Sequence, residues 1–490
     1  MQQHAQPIYA FKQLEFNPIL DTDSYKASHW LQYPKGVSSM YSYFESRGGM
    51  FHSTEFAGLQ GFLQQYMLTP VTKAHVDEAE VFCAAHGEPF NREGWMRIVD
   101  VYNGRFPVRI RAVPEGAIVP VKNVLFDIEL TTPDPDIFWV VSWLETMLVR
   151  VWYSTTVGTL SFFCKKAIME ALVKSSDNPE AEIDFKLHDF GSRGVSTNEG
   201  ARIGGFAHLI NFMGSDTMEG IRYANHHYGV EGGMAGFSIP AAEHSTMTMW
   251  GRTGESEAYR NMVQKYMIDR VMPAGLPKIA ACVSDSWNIY NAVENLWCGE
   301  LHDMVRDSGG KLVVRPDSGN PTEVLLKLLG IFERKIGMKK NMKGYKVLPS
   351  YFGLIQGDGI NYDSLQEILH AIQEKGYSAS NLAFGMGGGL LQQVNRDTLK
   401  FAFKCADAFI DEKWVDVQKD PITDIGKRSK AGHQALITEG YGDGFGFKTV
   451  RGPRKDDHLQ TVYENGGLVR TYTLDDLRAN SKQGLLRLAA

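Results

Sequence analysis

Residues 311–332, KLVVRPDSGNPTEVLLKLLGIF, decide the reading of the fold. A short β-rich run ends in the polar loop RPDSG, and a helical pattern begins at once. Asn320 can cap that helix, Pro321 suits its first position and Glu323 completes a capping box. Leu325, Leu328, Leu329 and Phe332 then fall on one face. The unit is strand, loop, helix. Working outward, candidate strands also end in HDFGSRG (from His188), MGSDT (from Met213), FSIPAAEHST (from Phe237), VSDSW (from Val283), QGDG (from Gln356) and FGMGGG (from Phe384). The helical spacing recurs at Leu365, Ile368, Leu369 and Ile372, and again at Ile289, Val293, Leu296 and Trp297. Seven such units, roughly 25 to 40 residues apart, predict a parallel (β/α) barrel in preference to an open doubly wound sheet, which stays the alternative. In either architecture, functional residues belong at the carboxyl ends of the strands.

Around this core the chain is expected to divide into a β-rich α+β region over 1–180, an irregular barrel-like α/β domain over 181–395, and a segment over 396–490 that returns to the β-rich domain. Phe106 to Leu130, FPVRIRAVPEGAIVPVKNVLFDIEL, supplies strand-like runs, with Val119 and Pro120 favouring turns and edge strands. The most apolar segment, Ile137 to Leu160, is interrupted by Glu145 and Arg150 and reads as a buried helix, not a membrane span.

At 490 residues the chain can bury a sizeable core, and its 43% hydrophobic and 22% charged residues exclude disordered or fibrous classes. A net charge of −6 without a block of like charge argues against a nucleic-acid binder. Cys83, Cys164, Cys282, Cys298 and Cys405 are far apart and odd in number, which fits a reduced compartment. The N-terminus lacks the basic flank and apolar run of a secretory signal. A soluble, cytoplasmic protein is expected.

The conspicuous polar residues fall at the strand ends. FGMGGG exposes backbone N–H groups that suit a phosphate, or is a tight turn needing positive φ. In QGDG, Asp358 can hold a ribose hydroxyl or stabilise a turn. Arg315 and Asp317 in RPDSGNP suit phosphate and a Mg²⁺ or ribose diol, against the plainer reading of an ion pair. Three adjacent strand ends presenting Arg-Asp, Gly-Asp and Gly-rich loops favour a phosphorylated ribose. Asp216, with Glu219 three residues on, reads from pattern as a helix N-cap. His244 is either a buried, hydrogen-bonded histidine or a nucleophile at a strand end, and His188 is equally open. No His/Cys spacing suggests zinc.

Taken in order, DTDSYKASHWLQYP, YSYFESR, KLHDFGSRGVS, GSDT, SIPAAEHST, VSDSWNIYNA, RPDSGNP, LIQGDG, FGMGGGLLQ and KDPITDIGKRSK closely resemble the nicotinate/nicotinamide phosphoribosyltransferase family, on its nicotinamide-using side, over nearly the whole chain. The resemblance implies attack of a pyridine nitrogen on C1 of 5-phosphoribosyl 1-pyrophosphate, with Mg²⁺ on the departing pyrophosphate, giving nicotinamide mononucleotide for NAD salvage. It implies that Phe190 and Tyr25 sandwich the base, one from each subunit of a homodimer with shared sites, and that Asp216 accepts the carboxamide N–H and disfavours nicotinate. Arg193 and Arg315 would contact phosphate or amide oxygen, Asp317 and Asp358 ribose or Mg²⁺, with Asp317 the metal partner through Mg-pyrophosphate. Gly357, Gly387 and Gly388 would cradle phosphate. The dimer partner would add Asp23, Arg47, Arg396 and Lys404, with Lys419 and Lys427 further candidates on the pyrophosphate or nucleotide side. His244 would be phosphorylated by an activating ATP, so that the catalytic set is His244, Asp317 and Arg315. Domain boundaries would then be discontinuous, because Asp23 and Tyr25 must reach a mid-chain site.

Three positions depart from the family pattern: Ser192 stands for Tyr, Met386 for Ser, and Ala281 for a Ser common near the phosphate cradle. The reaction is not expected to change. The competing readings are a nicotinate phosphoribosyltransferase, an interaction protein with a vestigial site, and a Schiff-base sugar-phosphate barrel enzyme. The intact set of site residues opposes the second, and the third has no well-placed strand-end Lys.

Overall fold

A computed structural model describes residues 15–271, 275–423, 428–438 and 446–489. One sheet is parallel and six-stranded, in the order Gly214–Ser215, Leu187–Asp189, Leu382–Met386, Phe352–Gln356, Lys311–Arg315, Ile279–Val283. Its edges do not stay open. Gly214 bridges in parallel to Phe237 at one edge and Ala241 to Ala281 at the other. The Phe237 N–H donates to the Met213 carbonyl at 2.7 Å, and the Ala281 N–H donates to that of Pro240 at 2.9 Å. Residues 237–241 therefore close the parallel sheet into an irregular barrel. The strand expected there is reduced to two bridges, since Pro240 has no N–H to give a ladder.

The expected helices follow the strands. Asn320 accepts from the Glu323 N–H at 3.0 Å, Pro321 opens the helix Pro321–Ile336, and Leu325, Leu328, Leu329 and Phe332 are buried. The reciprocal half of the capping box is not formed, so the cap rests on Asn320 alone. The segment after VSDSW winds more loosely than expected, as a single helical turn, Ile289–Asn291, continued by a π-helix, Ala292–Glu300. After the Gly-rich turn the helix is only four residues, Gly388–Leu391.

The apolar segment 137–160 is not one helix. It breaks into Val140–Trp143, Glu145–Val149 and the start of the long helix Trp152–Ser175. The Thr22 hydroxyl donates to the Trp143 carbonyl at 3.0 Å, occupying a helix acceptor near the first break. No helix among the described residues is long and apolar enough to cross a membrane.

The second large sheet is mainly antiparallel hairpin and return strands, ordered Lys413–Asp416, Phe401–Ile410, Val37–Ser46, Val124–Leu130, Val108–Ala112, Gln460–Glu464, Gly467–Leu468. Strands from both ends of the chain thus share one sheet. Phe44 stacks between Phe126 (4.7 Å) and Phe401 (5.1 Å), tying three of them across one face. The long helix Trp152–Ser175 packs on the barrel helices Asn198–His208 and Tyr362–Glu374. All five cysteines are free, and four are buried.

His433, just before the separate hairpin of Gln434–Thr438 and Phe447–Arg451, fastens that hairpin to two strands of this sheet, with Nδ1 2.8 Å from Asp407 and Nε2 3.0 Å from Glu129. Burial opposes its protonation, but the bonds to Glu129 and Asp407 outweigh it and raise the pKa above the ordinary 6.5. A raised folded pKa gives stability that is complete below the unfolded pKa and lost as pH rises through the folded one. The difference in melting temperature between the parent and His433→Gln is therefore expected to be largest near or below pH 6 and to shrink in alkaline buffer. Thermal unfolding across that range checks it.

Candidate active site

The order of strands around the barrel sets the order of motifs around its carboxyl-end mouth. Asp216 follows the strand Gly214–Ser215. Phe190 and Arg193 come next, then the Gly-rich turn, Gly357 and Asp358, Arg315 and Asp317, and Asp285. His244 follows the closing segment and completes the circle.

Phe190 lies flat on backbone that only glycine permits. Its N–H donates to the Met386 carbonyl at 3.0 Å, and a Cβ on Gly385 would stand 2.0 Å from its ring. Gly385→Ala is therefore expected to expel the ring and cost about 1–3 kcal/mol of stability as overpacking. Chemical denaturation and the position of Phe190 in a crystal structure of the variant check this. The turn Gly191–Gly194 lies against Gly388, where a Cβ on Gly194 would meet the Gly388 nitrogen at 3.2 Å. This brings the exposed Arg193 beside the Gly-rich turn. The first-turn N–H groups of Gly388 and Gly389 have no intrahelical partner and can receive an anion.

Asp216 is exposed and is not a cap: the next helix, Met218–His227, is preceded by Thr217 with no side-chain cap bond. The Asp216 side chain instead accepts from the Ser238 hydroxyl, and its backbone N–H donates to the Asp189 carbonyl at 2.9 Å. The pattern expectation of a cap fails because the chain turns one residue later. Asp189 itself is fully buried and accepts from the Gly191 N–H at 2.6 Å. Burial pushes its carboxyl up to about 6, against that hydrogen bond. One buried carboxyl residue thus anchors both the Phe190 loop and Asp216. Beside them, burial lowers the pKa of His188, with the Asp216 charge acting the other way.

Across the mouth, Asp285 organises a second cluster. Its side chain is 2% exposed and accepts from the Asp317 N–H at 3.1 Å and the Ser318 hydroxyl at 2.5 Å, with His244 Nε2 at 3.0 Å. His244 Nδ1 stands 3.9 Å from Asp317 Oδ2, and Arg315 reaches the same oxygen at 3.5 Å. Arg315 Nε is buried without a protein partner, so this guanidinium keeps a donor for an acceptor from outside. Gly357 separates this cluster from Phe190: a Cβ there would meet the ring at 3.3 Å and Asp317 Oδ1 at 3.9 Å. Asp358 is exposed on the next turn.

The remaining candidates form a separate group beside the antiparallel sheet, with Lys404 on its strand Phe401–Ile410. Tyr25 is 54% exposed. Asp23 accepts from the Thr146 hydroxyl at 3.0 Å, and Lys26 pairs with Glu145 at 2.5 Å. Burial lowers the pKa of Lys404, whose charged neighbours are Glu145, Arg47, Lys419 and Lys26. Arg47 bonds to Glu45 at 3.2 Å, and the Lys430 ammonium group pairs with the other oxygen of the same carboxylate. Exposed Arg396 opens a short turn whose Thr398 carbonyl accepts from Met50, close to Arg47. No hydrogen bond or ion pair among the described residues joins this group to the mouth. Lys427 lies outside the described residues.

Sequence reasoning overlooked Asp285, Asp189 and Ser238. VSDSW and HDFG were visible as strand-end loops, but nothing local marks those carboxylates as anchors. Of the departures, Ser192 is exposed on the Arg193 loop and Met386 is buried beneath the Gly-rich turn. Ala281 lies at the closing seam, with two strands between it and that turn, so it is not beside the cradle.

Two protein-family models match the chain. One described as the nicotinate phosphoribosyltransferase family matches residues 185–467, and one described as the nicotinamide phosphoribosyltransferase N-terminal domain matches residues 17–110. The chain is a phosphoribosyltransferase, a pentosyl-transferring enzyme. More particularly, the chain belongs to the nicotinate phosphoribosyltransferase family.

It is 48% identical over 470 residues to a protein of Xanthomonas campestris pv. campestris (strain 8004) named nicotinamide phosphoribosyltransferase, covering 95% of this chain and 98% of that one. A protein of the same name from Acinetobacter baylyi is 29% identical over 509 residues, covering 96% and 98%. In fold, the human nicotinic acid phosphoribosyltransferase crystal structure is similar, with a TM-score of 0.57 at 16% identity, covering 95% of this chain and 94% of that one. The Pyrococcus furiosus nicotinate-nucleotide pyrophosphorylase structure gives a TM-score of 0.60 at 14% identity, covering 99% and 100%.

Proposed function

We propose that this chain transfers the phosphoribosyl group of 5-phosphoribosyl 1-pyrophosphate to nicotinamide, giving nicotinamide mononucleotide and pyrophosphate in NAD salvage. The observation that carries the reading is the pairing, across one barrel mouth, of a ring and a carboxylate (Phe190, Asp216) with an arginine, a carboxylate and a Gly-rich turn (Arg315, Asp317, Gly387–Gly388). The first pair suits a flat amide, the second a phosphorylated sugar. The names of the relatives support the same substrates.

In the transfer, the bond from C1 to the pyrophosphate oxygen breaks and one from C1 to the pyridine nitrogen forms, through an oxocarbenium-like centre. Phe190 holds the base flat, and Asp216 takes its carboxamide N–H. Arg193 and Arg315 stabilise negative charge that grows on the leaving group, and the Gly-rich turn and Gly357 fix the sugar phosphate. Asp358 takes a ribose hydroxyl. Asp317 is the residue that would hold Mg²⁺: it is half-buried and keeps Oδ1 free, whereas both oxygens of Asp285 are committed. When bound with pyrophosphate, Mg²⁺ supplies neutralisation of the leaving charge.

The same reading assigns this second group to another subunit's site in a homodimer: Tyr25 as the opposing ring, and Asp23, Arg47, Arg396, Lys404 and Lys419 toward phosphate and nucleotide, joined by Lys427 from outside the described residues. It also assigns His244 to a phosphohistidine formed from ATP, which stimulates the transfer without being required for it. An Nε2–H donated to Asp285 leaves Nδ1 as the nucleophilic atom. With its free cysteines, the protein suits a reducing cytoplasm.

The test is mononucleotide formation by purified protein with Mg²⁺ and phosphoribosyl pyrophosphate, comparing nicotinamide with nicotinate, each with and without ATP. Product from nicotinamide, enhanced by ATP, is expected. Product chiefly from nicotinate would overturn the base assignment.

A further inference from the structure

Two turns of the barrel mouth meet on Asp189. Phe190 belongs to the turn after the strand Leu187–Asp189, and Asp216 to the turn after Gly214–Ser215. The Asp189 side chain holds the first turn by accepting from the Gly191 N–H at 2.6 Å, whereas only its backbone carbonyl reaches the second. Its other carboxylate oxygen, Oδ2, is buried and has no hydrogen-bond partner.

A second orphan lies close by. The hydroxyl of Thr217, one residue after Asp216, is also buried without a partner, and the Thr217 N–H donates to the Ser215 hydroxyl oxygen at 3.1 Å. Both orphans face Gly205: a Cβ there would stand 2.9 Å from Thr217 Cγ2 and 3.3 Å from Asp189 Oδ2. The helices Asn198–His208 and Met218–His227 cross glycine on glycine at this point, where a Cβ on Gly220 would meet the Gly205 Cα at 2.6 Å. Asp189 and Thr217 are fully buried, so solvent does not satisfy either group. A donor and an acceptor left unmade in one dry space are costly, and a small shift of the Thr217 turn pairs them.

No ion pair among the described residues neutralises Asp189. Tyr153, facing it from the long helix Trp152–Ser175, is kept neutral by burial and by the Asp189 charge. Asp216 carries the same sign and opposes its ionisation. The helix Asn198–His208 presents only Gly205 to Oδ2, and His188 is turned toward Gly214, where a Cβ would meet its Nδ1 at 2.6 Å.

We propose that Asp189 and Thr217 are positioning residues for the pyridine base: when the base is seated, the Thr217 hydroxyl donates to Asp189 Oδ2, and one carboxylate then fixes the Phe190 turn and the Asp216 turn relative to each other. This rests on the assignment of Phe190 and Asp216 to the base. Relief of the two orphans belongs to the base-bound arrangement, so it strengthens binding of the base and not of the phosphoribosyl donor.

Steady-state kinetics with the base and phosphoribosyl pyrophosphate varied in turn test this. Thr217→Val keeps the shape and removes the hydroxyl. It is expected to raise KM for nicotinamide about 10-fold, to change KM for phosphoribosyl pyrophosphate by less than about 2-fold, and not to lower the melting temperature. Thr217→Ser, which keeps the hydroxyl, should stay within about 2-fold of the parent. Asp189→Asn should raise the nicotinamide KM about 5-fold, and adding Thr217→Val to it should cost less than the two effects combined. Burial holds the Asp189 carboxyl up at about 6, so its charge is present above that pH and lost below it. Between pH 7.5 and 5.5 the nicotinamide KM of the parent should therefore rise about 5-fold more than that of Asp189→Asn. An unchanged nicotinamide KM in Thr217→Val, a Thr217→Ser variant as impaired as Thr217→Val, equal rises in both KM values, or parallel pH profiles in the parent and Asp189→Asn would each overturn the proposal. The parent's choice of base tests the underlying reading separately: with nicotinate as the better base that reading fails, and the variants' KM for nicotinate decides the positioning role.

Discussion

Asp216→Asn is expected to cut the preference for nicotinamide over nicotinate by about 100-fold, measured as the ratio of kcat/KM for the two bases. The substitution removes a charge and little else. The asparagine carbonyl can still accept from the Ser238 hydroxyl, and the backbone N–H stays on the Asp189 carbonyl, since that bond does not involve the side chain. The helix that follows is preceded by Thr217 and draws no side-chain cap from Asp216, so it loses nothing. What changes is the encounter with the base. On the proposed reading, a carboxylate at this point would accept the amide N–H of nicotinamide and repel the carboxylate of nicotinate, whereas an amide would do neither as strongly. Nicotinate use should rise as nicotinamide use falls. An unchanged ratio in a folded, active variant would remove Asp216 from base recognition.

The same residue shows what the sequence could and could not convey. GSDT followed by Glu219 fits a capping pattern, and only the chain's path shows that the helix starts a residue later. The motifs at the strand ends were legible because each strand, loop and helix is a local unit: hydrophobic spacing marks the helix, and the polar loop marks the strand's end. RPDSG, QGDG and FGMGGG therefore landed together as expected, three neighbours on one sheet.

Contacts between distant loops left no such signal. Asp285 reads locally as a turn residue, and its bond to His244, 41 positions away, exists because residues 237–241 close the barrel. Asp189 reads as part of HDFG, and only its complete burial reveals it as an anchor. In the antiparallel sheet the alternation of strands was visible, but the pairing of Phe44 with Phe403 joins positions hundreds of residues apart that no local pattern links. The segment 137–160 misled for a related reason, since its first break coincides with a hydrogen bond from Thr22, more than a hundred residues earlier.

Asp285→Asn is expected to abolish ATP stimulation, lowering the ATP-dependent part of the rate about 10³- to 10⁴-fold, while leaving most of the basal transfer. Asp285 sits between two tasks. One oxygen fixes His244 through Nε2; the other holds the loop of Asp317 through its N–H and the Ser318 hydroxyl. Asparagine can keep its carbonyl toward the Asp317 loop, so the sugar-phosphate side of the mouth stays assembled. It then turns its NH₂ group toward His244, and a donor facing Nε2 forces the imidazole proton onto Nδ1. The atom that should attack phosphorus is thereby capped, a wrong-tautomer penalty of the size given above. Asp285→Ala, by contrast, releases both loops and should depress basal and stimulated transfer together. Steady-state rates of both variants, with and without ATP, separate the roles, and radiolabel transfer from ATP to the protein reports the histidine directly. If Asp285→Asn retained full stimulation and labelling, the tautomer held by Asp285 could not be what arms His244, and the buried carboxylate would serve the Asp317 loop alone.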